Sequence, residues 1–168
     1  MTGLSPPFHF DLHLMRLSVF FIALSTELTN SELGCHEQFI YFQNNCYYFS
    51  SQPLPFLAAR HVCNNLSDVF NPCHLTSIHS EGENNFVYQR ATQLWGTTTT
   101  YWLGAVKPLK RSNFSFWLDG THMNFTQLKA YSKQGSCLQQ CTKESDWEDA
   151  YCLLDQYYVC KQTAICKY

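Results

Sequence analysis

From Cys35 to Phe49 the chain carries two short runs rich in aromatic and β-branched residues, Phe39-Ile40-Tyr41-Phe42 and Cys46-Tyr47-Tyr48-Phe49, split by Asn44-Asn45. Aromatic strands around an Asn-rich turn predict a hairpin. Pro53 and Pro55 stop the second strand, because proline cannot donate to a ladder. The rhythm then lengthens. Phe56, Ala59, Val62, Cys63 and Leu66 recur at helical spacing and predict an amphipathic helix of about three turns, with Cys63 on its buried face. Asn64, Asn65, Asn71 and Pro72 end it. Leu75 and Ile78 read as a short strand. Ser80-Glu81-Gly82-Glu83 has the capping-box form, Ser followed three later by Glu. The helix it opens carries Phe86, Val87, Ala91 and Leu94 on one face.

Beyond a polar break at 97–100 the periodicity becomes that of strands. Tyr101-Trp102-Leu103-Gly104 reads as a buried strand whose Gly104 marks a close backbone approach. Phe114, Phe116 and Trp117 predict a strand turning at Asp119-Gly120. Thr121 to Ser136 is long, polar and poorly periodic. Tyr157-Tyr158-Val159-Cys160 closes the pattern as a β-branched and aromatic strand. Two helices early and many short strands late predict an α+β chain without repeats.

Length allows one domain, and nine cysteines place it in an oxidising compartment. Nine is odd, so at least one thiol is free or pairs outside the chain. At the N-terminus, Leu17 to Leu24 is an eight-residue apolar run behind Arg16, with small residues for cleavage after Ser25. This predicts a signal peptide over 1–25 and secretion. A signal anchor or a buried helix is the alternative, although the run is too short to span ~30 Å of hydrocarbon. Residues 26–34 form a polar lead-in. The sequons Asn65, Asn113 and Asn124 agree with the secretory route. One of the eleven Lys and Arg and three of the thirteen Asp and Glu precede Cys35, leaving ten of each beyond it. A near-neutral domain argues against nucleic acid as partner.

Several of these stretches together resemble the C-type lectin-like domain family. Cys46-Tyr47-Tyr48-Phe49 is similar to its CYxF strand, and Phe56-x-x-Ala59-x-x-x-Cys63 to its first helix. The stretch Leu75 to Phe86 resembles LxSIHSxxENxF, Trp102-Leu103-Gly104 the WIGL core, and Trp117-Leu118-Asp119-Gly120 the WxDG motif. Trp147-Glu148-Asp149 stands where the family has WND, followed by Cys152 and Cys160. The likeness covers 35–161 and leaves 162–168 as a tail. It implies a fold of two helices and two small antiparallel sheets with a long-form N-terminal hairpin. It also implies bridges Cys35–Cys46, Cys63–Cys160 and Cys137–Cys152. Two further cysteines, Cys73 and Cys141, resemble extra cysteines of the eosinophil major basic protein branch of the family, and could pair with each other. That branch binds sulfated glycosaminoglycan without calcium and is strongly cationic. This chain is not, which argues against a membrane-disrupting activity, although a host-defence role stays a third alternative.

In the family, sugar is held through calcium by an EPN or QPD triad, a following glutamate and the Asn-Asp of WND. Calcium takes roughly six to eight oxygens. No Asp or Glu lies between Asp119 and Glu144, a lysine stands near the triad position in Ser132-Lys133-Gln134, and Glu148 replaces the Asn. Asp149 alone keeps its place. No bound metal or cofactor is therefore expected, with calcium-dependent carbohydrate binding as the alternative. Trp147 reads as core, with Glu148 and Asp149 as a solvated turn.

Lys107, Lys110 and Arg111 form the densest basic cluster, which Lys129 and Lys133 would extend into a binding patch for a sulfated glycan. An ordinary solvated loop is the plainer reading. Phe125, Leu128 and Tyr131 offer a partly apolar face to a protein partner, unless they fold inward. Histidines 36, 61, 74, 79 and 122 and the cysteines Cys73, Cys141 and Cys166 show neither zinc-ligand spacing nor a catalytic constellation, so no enzyme is expected. Cys166, the odd thiol, suggests a disulfide-linked dimer. The reading is a secreted, extracellular, calcium-independent recognition module for a glycan or a protein, with no membrane span.

Overall fold

In the computed structural model the described residues are 33–108, 113–114, 116–129 and 135–166. The expected signal peptide lies outside them, as do Lys110, Arg111, Tyr131, Lys133 and the side chain of Cys166, on which the expected inter-chain bridge falls. Strands β2 (Ile40–Phe42) and β3 (Asn45–Phe49) form the expected hairpin. Its turn falls one residue earlier than the Asn-Asn pair, at Gln43 and Asn44, with φ of 44° and 64°. Both central residues are left-handed, the geometry that matches strand twist.

Helix α1 (Phe56–Asn65) buries Phe56, Ala59 and Cys63, as its spacing predicts. Helix α2 (Glu81–Trp95) starts where the Ser80 hydroxyl accepts from the Glu83 amide at 3.1 Å. The Glu83 side chain does not close a capping box. Its carboxylate instead accepts from the His79 amide (2.8 Å), the Tyr47 hydroxyl (2.6 Å) and the Lys161 ammonium (2.5 Å). Burial, together with the Glu83 charge and hydrogen bond, pushes the Tyr47 phenol well above its usual range. A buried carboxylate needs such partners.

The remaining strands are β1 (Leu33–Gly34), β4 (His74–Leu75), β5 (Thr100–Val106), β6 (Cys137–Cys141), β7 (Trp147–Ala150), β8 (Tyr157–Thr163) and β9 (Ile165–Cys166). Among the described residues one sheet runs β2-β3-β8-β5-β6-β7, with β4 also on β8. The two expected antiparallel sheets meet in it, because β5 and β8 run parallel through Tyr101–Tyr157 and Trp102–Tyr158. In place of the strand expected at 114–117, Phe116 makes an isolated bridge to His122 across the Asp119-Gly120 turn. Leu33–Gly34 and Ile165–Cys166, read from the sequence as lead-in and tail, pair as β1 and β9. Backbone groups at both ends thus find partners, which hydropathy alone does not reveal.

Strand β5 is buried on both faces, hence its near-continuous apolar run. Tyr101, Leu103 and Ala105 face one core cluster with Val87 of α2, Leu138 and Trp147; Trp102 faces the other with Phe56, Cys63 and Tyr158. Gly104 is where this strand meets β4. A Cβ there would lie 2.2 Å from the Leu75 carbonyl oxygen, so only glycine fits.

Disulfides join Cys35–Cys46, Cys63–Cys160 and Cys137–Cys152. Cys73 and Cys141 do not pair with each other, correcting that expectation. Cys73 is packed under α1 in the Phe56 cluster, while Cys141 sits at the end of β6 opposite Thr100. Burial pushes the Cys73 thiol up to about 12. Since the thiolate is the reactive form, maleimide labelling of the folded protein at pH 7.5 should leave Cys73 unmodified until denaturant is added. Mass mapping of a Cys73 adduct under native conditions would contradict this placement.

Candidate functional site

Glu148 and Asp149, at the positions where the family holds calcium, come together with Lys107 of the expected basic cluster where β5 ends. The Lys107 amide donates to the Ser136 carbonyl (2.8 Å), and the Ser136 amide donates to the Ala150 carbonyl (3.1 Å). This ladder sets Lys107 beside β7. Its ammonium lies 3.3 Å from Asp149 Oδ2, and the two side chains are only 8% and 4% exposed. The same ammonium lies 5.2 Å from the centroid of the Phe114 ring, a cation–π distance. Next to Asp149 in β7, Glu148 accepts from Gln139 Nε2 (2.6 Å), whose Oε1 accepts from Gln156 Nε2 (2.6 Å).

Lys107, Phe114, Glu148 and Asp149, together with Asn113, Leu128 and Lys129, line a recess of about 130 Å³. Lys129 donates to Glu144 at 2.6 Å on the exposed side. This hydrogen bond, the largest cause, raises the lysine's pKa and lowers the glutamate's.

Two expectations are corrected. Glu148 and Asp149 are not a solvated turn. They are buried in β7, at 8% and 3% exposure, because β7 pairs with β6 and each acid has found a partner. Lys107 is not part of an exposed basic patch. It is drawn inward, since a buried carboxylate without a cation is costly. Lys129 is paired with Glu144, and the other three residues of that patch lie outside the described residues. Asp149, the residue expected at a calcium-ligand position, has the Lys107 ammonium beside it. Among the described residues no three His, Cys, Asp or Glu cluster as a metal site would require.

Above the recess, the 116–129 segment folds partly inward. Phe125 packs edge-on against Trp147 at 5.7 Å, and Leu128 bridges the Trp147 backbone while its side chain stays 38% exposed. Trp147 donates from Nε1 to Asn84 Oδ1 at 2.9 Å, tying the segment to α2. Phe116 remains 53% exposed at its start. Asn65, Asn113 and Asn124 are all exposed, as a glycan would require.

The sequence missed a second polar cleft. Ser77, His79, Asp119, Thr121 and Gln162 come from three distant segments, and no local signal joins them. His79 Nε2 lies 3.1 Å from Ser77 Oγ and 3.3 Å from Thr121 Oγ1. Both hydroxyls donate to Asp119, that of Thr121 at 2.6 Å. Their protons being committed, they present lone pairs to the imidazole, so Nε2 is the donor. That is the wrong polarity for a base activating Ser77.

A sequence-family model described as the Lectin C-type domain matches residues 52–162. Snaclec jerdonuxin subunit alpha from Protobothrops jerdonii is 29% identical over 153 residues, which cover 89% of this chain and 94% of that protein. Among solved structures, the C-type lectin CEL-I from Cucumaria echinata superposes with a TM-score of 0.71 at 21% identity, covering 77% of this chain and 97% of that one. The cow C-type carbohydrate-recognition domain of CD23, solved in the presence of an oligosaccharide, gives 0.67 at 26% identity, covering 80% of this chain and all of that one. With its helices, its disulfides and its Trp-Glu-Asp strand in that frame, the chain belongs to the C-type lectin domain family.

Proposed function

We propose that this chain is an extracellular recognition module, not an enzyme, that binds a protein ligand without calcium through the face formed by 116–129 and β7. The observation that carries the reading is the Lys107–Asp149 pair. The ammonium supplies the positive charge that the carboxylate needs and would repel a dication placed beside it. Calcium would have to displace Lys107 and then find roughly six oxygens in a recess that offers two carboxylates. Lys107 and Lys129 both carry carboxylate partners, which leaves a sulfated glycan little to hold among the described cations. Leu128 and Phe116 instead give the face exposed apolar anchors, the kind that carries protein interfaces. The three disulfides support an extracellular setting. No helix among the described residues is long and apolar enough to cross a membrane.

Calorimetric titration with calcium chloride should therefore give no binding heat. Binding on an array of extracellular proteins should persist in EDTA and fall about tenfold on Leu128→Asp. A calcium heat abolished by Asp149→Asn, or array binding seen only with calcium, would sink the reading.

A further inference from the structure

The turn before β4 holds two apolar side chains out in solvent. Val69 and Phe70 are 90% and 94% exposed, and their backbone is not a frayed end. Buried Asn71 donates from Nδ2 to the Thr163 carbonyl (2.8 Å), and the Asp68 amide donates to the Asn71 carbonyl (3.3 Å). The Cys73 amide closes the turn by donating to Ser67 Oγ (2.8 Å). The pinned turn leaves a groove of about 840 Å³, with Val69, Phe70 and Pro72 on one side and Thr163, Ala164 and Ile165 on the other.

The strand side of this groove is an open sheet edge. Peptide groups along a strand alternate between its two flanks. The Ala164 amide points toward β3, where it donates to the Asn44 carbonyl (2.9 Å), and the Thr163 carbonyl points toward the turn. Alternation therefore turns the N–H and C=O of Ile165 into the groove. Strand β1, tied to β3 by Cys35–Cys46, takes the other flank of β9. No described residue hydrogen-bonds the Ile165 backbone on the groove side. Such an edge is a template for a further strand.

The occupant must bring extended backbone. A helix uses its own amides internally, and a small apolar molecule offers Ile165 no hydrogen bond. Val69, Phe70 and Ile165 suit apolar side chains, which a strand presents at alternate positions on one face. The single charged residue of the lining is Asp68. Its carboxylate accepts from the Phe70 amide (2.9 Å), which holds it below the usual carboxylate range, and lies 3.4 Å from His36, a cation only when protonated. A lysine or arginine on the occupant would meet that charge. A second copy of this chain would instead bring two Asp68 carboxylates into one interface, because a two-fold contact sets each patch on its own image.

We propose that this edge takes an extended segment of another protein as an added strand, apolar at alternate positions, with a basic residue near Asp68. The site shares no residue with the face formed by 116–129 and β7 and does not depend on it. The probes are blocked seven-residue peptides alternating valine and threonine, with lysine at either end, added to the isotope-labelled full chain.

The Ile165 amide resonance should shift and its hydrogen exchange should slow. Affinity should fall about tenfold for Phe70→Ser and about threefold for Asp68→Asn. Both side chains lie at the surface, so neither substitution disturbs the core. Of two peptides N-methylated at alternate residues in opposite phase, one should lose binding, since only every second amide faces the edge. No shift at millimolar peptide, a shift unchanged by Phe70→Ser, or binding by both methylated peptides overturns the proposal. Equal affinity for a peptide with glutamate in place of lysine does so too. A shift at Ile165 that grows with protein concentration before peptide is added gives the edge to a second copy, and also overturns it.

Discussion

Replacing Cys63 and Cys160 together by alanine is expected to leave the chain largely unfolded at 37 °C. Their bridge closes a loop with a sequence separation of 97 residues. On the chain-entropy account, a loop of that length restricts the unfolded ensemble by about 4 to 5 kcal/mol. Domains of this size are stable by only about 5–15 kcal/mol, so one bridge is a large part of the total. Both sulfurs lie in the cluster beneath α1, where Cys63 and Cys160 are fully buried, and the substitution loses that packing as well. Thermal unfolding followed by near-ultraviolet circular dichroism should show the transition lowered far more than for Cys35→Ala with Cys46→Ala, whose loop separation is 11. Equal losses for the two pairs would contradict the assignment of this bridge as the main staple.

Lys107→Met is the second large effect. Removing one partner of a buried ion pair strands the other charge, and losses of about 3–5 kcal/mol are typical. Here Asp149, 3% exposed, is left beside an apolar side chain. The double variant Lys107→Met with Asp149→Leu removes both charges and should recover most of the loss, because the cost lies in the uncompensated charge. Urea unfolding of the four proteins completes a double-mutant cycle. A single variant as stable as wild type would show that Lys107 is not what keeps Asp149 buried, and the argument against calcium would weaken with it.

These results bear on which features a sequence can disclose. The helix at 56–65 was legible because Phe56, Ala59 and Cys63 repeat at its period and are the residues buried. The close approach at Gly104 was legible because a glycine interrupts an apolar strand. The disulfide pairing was not readable from spacing and came from the family likeness. Lys107 and Asp149 stand 42 positions apart with no shared local pattern, so counting carboxylates showed what the site had lost but not the lysine beside it. Asp149 stands two positions after Trp147, which in a strand puts it on the same face as that core residue, and a buried acid needs a hydrogen-bonding or charged partner. The cleft around Gln162 was hidden for a related reason. Its residues act through side chains gathered by the β4–β8 pairing and the 119–121 turn, and that proximity exists only after folding.

Strand β8 carries a consequence for biogenesis. It is bonded to β3, β4 and β5 at the centre of the sheet, yet it comes almost at the end of the chain. At translation speeds of roughly 5–20 residues per second, Cys63 waits about 5–20 s before Cys160 has even been made. During that interval Cys73, only ten positions away and unpaired in the finished fold, is the nearer thiol. An oxidoreductase that can undo a Cys63–Cys73 mispairing should set the yield of correctly assembled protein more than any contact within the sheet.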